Sequence, residues 1–270
     1  MEDWILTDIV PVTFGRHGGK RWRRALTYEH AKASPVVPVV IGELPQAVVS
    51  LPLGFVQNAG GLTLVAILGL KPAENLLVGP EGKWLGTHVP TMLRTYPFSI
   101  VALEQARELL CVDEESGLVG DWTDGETFFD GEGQPSAAIA KVLNYLQQVS
   151  ASHRLTLAAC DQLSRCGVVE PWPIVLRSEQ GTENIQGLHR INESALNGLS
   201  DEQFLSLRAG GALQIAYSQL LSMQHLEALD NYGRRRAQAS AAAQKLTREK
   251  SGELDLEFLN QDPSLDFSRF

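Results

Sequence analysis

Between Val36 and Phe129 the apolar residues come in short runs punctuated by turn formers. Val36–Ile41 and Thr63–Leu70 are rich in Val, Ile and Leu and are bounded by Gly, Pro or Asn, the composition of strands. Asn58-Ala59-Gly60-Gly61, between Phe55-Val56 and Leu62, predicts a hairpin turn, because glycine supplies the positive φ that tight hairpins need. Pro72 and Pro80-Glu81-Gly82 mark further turns. A brief helix is predicted over Val89–Arg94, ending where Pro97 pushes Tyr96 out of the α region. Gly131-Glu132-Gly133-Gln134-Pro135 closes this β-rich half, residues 1–135.

The period then changes. Ser136 is an N-cap candidate, and Ile139, Val142, Leu143, Leu146 and Val149 come after it at helical spacing. A second helix is expected over Ser152–Cys166, with Leu155, Ala159 and Leu163 inward and Gly167 as its stop. Trp172–Arg177 and Asn184–Ile191 read as a β-hairpin inserted between helices. Ser200 and Gln203 match a capping box, and Gly210-Gly211 interrupts the helix that starts there. Helical periodicity resumes at Leu213 and runs toward Tyr232. Strands grouped before helices give an α+β class, with residues 1–236 as one domain and 136–236 as its mainly helical part.

The tail, 237–270, differs in kind. Ala237–Lys250 is rich in Ala, Gln and charge, which suits a helix without a strong apolar stripe. Ser251 onward alternates acids with Leu and Phe and is expected to lack order alone, since backbone ordering costs ~1–2 kcal/mol per residue. Its Leu254, Leu256, Phe258, Leu259, Leu265 and Phe267 are more apolar than a spacer requires, so the segment is also a candidate partner-binding motif.

Composition narrows the options. A hydrophobic fraction of 44% with 20% charged residues is that of a globular protein. A formal net charge of −9 makes nucleic acid an unexpected partner. Arg16, Lys20, Arg21, Arg23, Arg24 and Lys32 do crowd the N-terminal region, with Trp22 and Tyr28 among them. An acid-paired or solvated surface accounts for the cluster better than a phosphate-binding one. Arg234-Arg235-Arg236 is a second basic group. Cys111, Cys160 and Cys166 form no disulfide framework and no C-x-x-C pair, so buried thiols in a reducing compartment are expected. No apolar run is long enough to span a bilayer, and Met1-Glu2-Asp3-Trp4 lacks a basic n-region, which points to the cytoplasm.

Motifs for chemistry are scarce. The six histidines are scattered, without H-x-H or H-E-x-x-H spacing, and no metal or other cofactor is expected. No nucleophile elbow, P-loop or dinucleotide fingerprint is present; Gly15–Gly19 lacks the Lys-Ser/Thr that a P-loop needs. Asp130-Gly131-Glu132-Gly133 lacks an EF-hand's ligand pattern and closing Glu, and reads as a hairpin with a solvated face. Trp84, Trp122 and Trp172 read as core anchors. Glu74, Asn75, Arg94 and Tyr96 are the candidate ligand-binding residues: a carboxylate, an amide, a guanidinium and a phenol near turns. The competing reading is structural, with Asn75 in αL geometry and Glu74 paired to Arg94 inside the fold.

Several of these segments, in order, resemble the SapC-like family of bacterial proteins. The resemblance starts at Phe14-Gly15-Arg16-His17 and passes through Val37–Glu43 and Ser50–Phe55. It is densest over Leu68–Leu103, and continues through Leu110–Asp113, Phe128–Pro135, Glu170-Pro171-Trp172, Arg190–Glu193 and Ala216–Met223. The family name implies a link with bacterial surface layers and brings no established chemistry. With no catalytic constellation, an α+β body and two appendages of opposite charge, the chain is expected to be a non-catalytic interaction or assembly protein of that family whose partner is another protein. Export through an uncleaved C-terminal signal is a secondary expectation for the tail. The alternative is an enzyme or accessory subunit beside an oxygenase- or halogenase-type pathway, which the family's usual gene neighbours imply.

Overall fold

The computed structural model describes residues 9–102, 108–178 and 181–250. The chain opens with β1 (Ile9–Pro11), a helical turn α1 (Phe14–His17) and β2 (Arg21–Trp22). β3 (Val36–Pro38) and short helix α2 (Leu44–Ala47) lead into the hairpin β4 (Leu53–Asn58) and β5 (Gly61–Ile67). Then come α3 (Thr91–Arg94), β6 (Phe98–Ala102), β7 (Glu108–Asp113), β8 (Val119–Gly120) and β9 (Glu126–Thr127). Helix α4 (Ala137–Arg165) begins the second half, succeeded by β10 (Val169–Pro171), β11 (Ile174–Ser178), β12 (Gly181–Ile185) and β13 (Leu188–Ile191). Helices α5 (Glu193–Asn197), α6 (Asp201–Ala209), α7 (Ala212–Ser222) and α8 (His225–Lys250) complete it. The class is α+β, with strands mainly in the first half.

Two sheets carry the fold. One has the order β1-β7-β6; the other, of five strands, runs β10-β13-β4-β5-β3. The predicted hairpin turn lies between β4 and β5: Asn58 pairs with Gly61, whose φ is +111°, and the Asn58 amide oxygen accepts the Gly60 N–H at 2.9 Å. The strands after α4 do more than form an isolated hairpin. β11 and β12 pair with each other, but β13 joins β4 and carries β10 with it, so the second half extends the first half's sheet. Sequence separation hid that pairing.

α4 is one helix of 29 residues, not two. Ser136 caps its start and Gly167, at φ +67°, lies just past its end. Ser150 and Ser152, where a break was expected, turn their hydroxyls to neighbouring segments. Ser150 Oγ donates to the Glu108 carboxylate and Ser152 Oγ accepts the Gly42 N–H. With no Gly or Pro there, the backbone ladder has no reason to stop. Continuity also sets the phase: Ala159 and Leu163 are buried as expected, whereas Leu155 is 61% exposed.

This helix bridges two cores. Its Ile139 and Leu146 pack with Trp22, Phe98, Ile100, Val112 and Phe128 against the β1-β7-β6 sheet. Its Ala159, Cys160 and Leu163 join Phe55, Leu64, Ile67 and Leu68 under the five-stranded sheet. Burial pushes the Cys160 thiol up to about 12, so it stays protonated. The middle of α4 therefore spans the gap between the sheets.

Helix termini obey the sequence closely in the remaining bundle. Ser200 and Gln203 form the reciprocal capping box of α6, and Gly211, at φ +77°, separates α6 from α7. α8 is anchored by buried Leu229 and by the His225 Nε2–H, which donates to the Val48 carbonyl at 2.9 Å. Gly233 still lies against Leu76, but residues 234–239 are all exposed. Among them Arg236 still reaches the body, its Nη1 donating to the carbonyl of buried Asn75 at 3.0 Å. Among the described residues no helix is long and apolar enough to cross a membrane. Leu254, Leu256, Phe258, Leu259, Leu265 and Phe267 lie outside the described residues.

Candidate functional site

A cleft opens where the two sheets fail to meet. Its apolar part, a cavity of about 320 Å³, has the middle of α4 as floor, through Leu146, Val149 and Leu157. One wall is β6, through Phe98, Ser99, Ile100 and Val101; the other is Val37 and Pro38 of β3 with Asn58, Gly60 and Thr63 of the β4–β5 hairpin. A more polar cavity of about 350 Å³ adjoins it, sharing Val149 and lined by Glu43, His88, Arg94 and Tyr145. α3 stands between the two, giving Met92 to the first and Thr91 and Arg94 to the second.

β6 is an edge strand, and its hydrogen-bonding parity is fixed by two contacts. The Asp113 N–H donates to the Pro97 carbonyl, and the Val12 N–H donates to the Leu110 carbonyl. In an antiparallel ladder, bonded and non-bonded pairs alternate. With Ser99 opposite Cys111 and Ile100 opposite Leu110, Ser99 and Val101 bond β7, while Leu110 and Val112 bond β1. The peptide groups of Ile100 and Ala102 therefore point away from β7, on the edge that borders the cleft. Neither has a hydrogen-bond partner among the described residues.

The polar corner is held by Glu43, which is 5% exposed. Its Oε1 accepts the Val40 N–H at 3.1 Å, and its Oε2 accepts the Thr91 N–H at 2.7 Å and His88 Nε2–H at 3.0 Å. One carboxylate thus ties the turn after β3 to the start of α3. Arg94, exposed on the last turn of α3, donates from Nη2 to Thr91 Oγ1 at 2.8 Å.

The four residues singled out from the sequence are placed apart. Asn75 is fully buried: its amide nitrogen donates to the Ala31 carbonyl and its amide oxygen accepts the Leu77 N–H. It does not hold the left-handed position; Ala73 does, at φ 54°. Glu74 makes no ion pair with Arg94 among the described residues, because Arg94 sits in the polar corner with Thr91. Tyr96 lines the apolar cavity, stacked on His30 with ring centroids 3.9 Å apart. Its hydroxyl donates to Asp113 at 3.3 Å. Asn75 and Tyr96 therefore grip neighbouring residues, Ala31 and His30.

Burial dominates the titration of this region. It lowers His30 to about 4 against an opposing hydrogen bond to the Leu93 backbone, and lowers His153 as well. Tyr96 is pushed up to about 12, first by burial and then by Asp113. His30 and Tyr96 are both uncharged around neutral pH.

The N-terminal cations are largely committed elsewhere. Glu114 accepts from Arg16 and from Lys20, and lies 3.2 Å from the Nε2 of buried His17. Those hydrogen bonds bring Glu114 down to about 2. Arg23 pairs with Asp124 and lies over the Trp122 ring, and Lys32 pairs with Glu29. This is the acid-paired surface expected above. No group of three or more His, Cys, Asp or Glu among the described residues could hold a metal ion. Glu43, His88 and the β6 edge escaped the sequence reading because nothing local marks them; they meet only across long sequence distances.

No curated protein and no solved structure matches the chain. The SapC family model matches residues 13–229, from α1 to the first turns of α8. With that match covering most of its length, the chain belongs to the SapC family.

Proposed function

We propose that this SapC-family protein is a non-catalytic binding module that takes an extended segment of a partner protein into the α3–α4 cleft, against the open edge of β6. The observation that carries this reading is that the Ile100 and Ala102 peptide groups, beside an apolar groove, have no hydrogen-bond partner among the described residues. An extended peptide satisfies such an edge through its own backbone, and a groove takes its alternate side chains. The titratable groups favour binding over turnover. A general acid or base works best with a pKa near the operating pH, yet His30 and Tyr96 lie near about 4 and about 12. Glu43 has three donors on its carboxylate, which suits a structural tie. The surface-layer link implied by the family name makes an envelope protein, met in the cytoplasm before export, the first partner to test.

A photo-crosslinking residue at Val101, on the groove wall, tests this in host cells, with Leu26, 93% exposed, as the control position. We expect a defined partner cross-linked at Val101 through one extended segment. Equal cross-linking from both positions would overturn the proposal.

A further inference from the structure

Resting on that reading, we infer that the segment taken into the cleft is the C-terminal end of the partner protein, laid antiparallel to β6 with its terminal carboxylate on Arg94. Arg94 is a cation with no acidic partner among the described residues. Its guanidinium presents N–H donors in a planar fork, and the hydrogen bond it makes runs from Nη2 to Thr91 Oγ1 at 2.8 Å. The carboxylate lining the same cavity, Glu43, is already met by Val40, Thr91 and His88. A planar carboxylate matches the unused side of the fork through a pair of parallel N–H···O bonds. Tyr145 and Gln148 line the same cavity and bring neutral donors to it.

The direction of the segment comes from where Arg94 sits along β6, and α4, the floor of the cleft, serves as a ruler. Phe98, the first residue of β6, packs in one core cluster with Leu146. Ala102, the last, pairs with Glu108, whose carboxylate accepts from Ser150 and Arg154 further along α4. Arg94 shares its cavity with Tyr145 and Gln148, so it stands at the Phe98 end. The connection agrees: α3 leads into β6 through Thr95 and Tyr96, both on the wall of the apolar cavity. A strand antiparallel to β6, as β7 already is, ends where β6 begins. Its backbone meets the Ile100 and Ala102 peptide groups, and its last residue arrives beside α3. An internal acidic side chain carries the same charge, but side chains leave a strand sideways, toward the α4 floor or away from it. A chain end delivers its carboxylate along the strand axis, toward Arg94.

The protein carrying the photo-crosslinking residue at Val101 tests this, once the cross-linked residue of the captured partner is mapped by mass spectrometry. We expect the adduct within about six residues of the partner's C-terminus, because the strand it lies against, Phe98–Ala102, is five residues long. A synthetic peptide of the mapped sequence, as free acid and as C-terminal amide, is then titrated into the full-length native protein and into Arg94→Gln. The native protein should bind the free acid at least about tenfold more tightly than the amide, the loss expected for one charge-assisted pair. Arg94→Gln should bind both peptides alike, as weakly as the native protein binds the amide. Arg94 is exposed, so the variant should melt with the native protein. An adduct on an internal segment, or equal binding of acid and amide by the native protein, overturns the inference while the defined partner leaves the binding-module reading standing. A preference for the acid that survives in Arg94→Gln overturns it too, because another cation would then hold the carboxylate. No defined capture at Val101, or equal capture from Leu26, removes both.

Discussion

His88 Nε2 lies 3.0 Å from Glu43 Oε2, joining residues far apart in sequence at the polar end of the cleft. The same carboxylate accepts the Val40 and Thr91 N–H groups, so removing it strands two backbone donors and a histidine. A stranded buried donor costs ~1–3 kcal/mol, and removing this carboxylate strands more than one of them, for a total of ~3–5 kcal/mol. Glu43→Ala should therefore lose about that much unfolding free energy. His88→Ala should lose less, ~1–3 kcal/mol, because Glu43 keeps both amides. Urea denaturation of the two variants checks the order. Equal, small losses would mean that Glu43 does not hold the corner.

Glu74 and Arg94 should behave as independent residues. Arg94 is exposed and hydrogen-bonded to Thr91, and no ion pair joins it to Glu74. Glu74→Ala and Arg94→Ala should each shift stability by roughly 0.5 kcal/mol or less, as surface changes do. The double variant should equal the sum of the singles within ~0.5 kcal/mol. A larger coupling energy would show that the two side chains meet in solution.

The features legible in the sequence are the local ones. The Asn58–Gly61 hairpin, the Ser136 cap, the Gly167 stop and the Ser200–Gln203 box each depend on a few consecutive residues, and each stands where expected. The fusion of two predicted helices into α4 was not legible, because Ser150 and Ser152 look like helix-ending residues until their partners Glu108 and Gly42 are in place. β13 pairs with β4 across the whole of α4, and no periodicity reports such pairing. The cleft shares this difficulty. Arg94 and Tyr96 were recognisable as polar residues near a turn, but which wall each would line depends on how α3 meets α4.

Glycine at position 69 is dictated by space. A Cβ there would stand 1.7 Å from the Glu74 carbonyl oxygen, which is backbone and cannot turn aside. Gly69→Ala should cost about 3 kcal/mol, at the upper end of overpacking penalties. Gly15→Ala is the control: nothing lies within 4 Å of where its Cβ would stand, and it sits in α1, so stability should hold or rise slightly. Thermal melting of both proteins checks the contrast. Similar melting temperatures would mean that the loop carrying Glu74 moves to accommodate the methyl group.

Stability should fall with acid in a window set by His30. Burial lowers its pKa from 6.5 to about 4, so between those values the unfolded chain binds a proton that the folded chain refuses. The contribution of neutral His30 is whole above 6.5 and is lost progressively as pH falls toward about 4. At ~1.4 kcal/mol per pH unit the loss approaches ~3 kcal/mol. His17 and His153, also lowered by burial, act in the same direction. His30→Phe keeps an aromatic ring against Tyr96, whose centroid lies 3.9 Å away, and removes the titrating group. Unfolding free energy measured against pH should therefore decline less steeply for His30→Phe than for the native protein. A direct NMR titration of the native imidazole should show its midpoint near about 4. A midpoint close to 6.5, with parallel stability curves, would show that His30 is hydrated and that the stack with Tyr96 opens in solution.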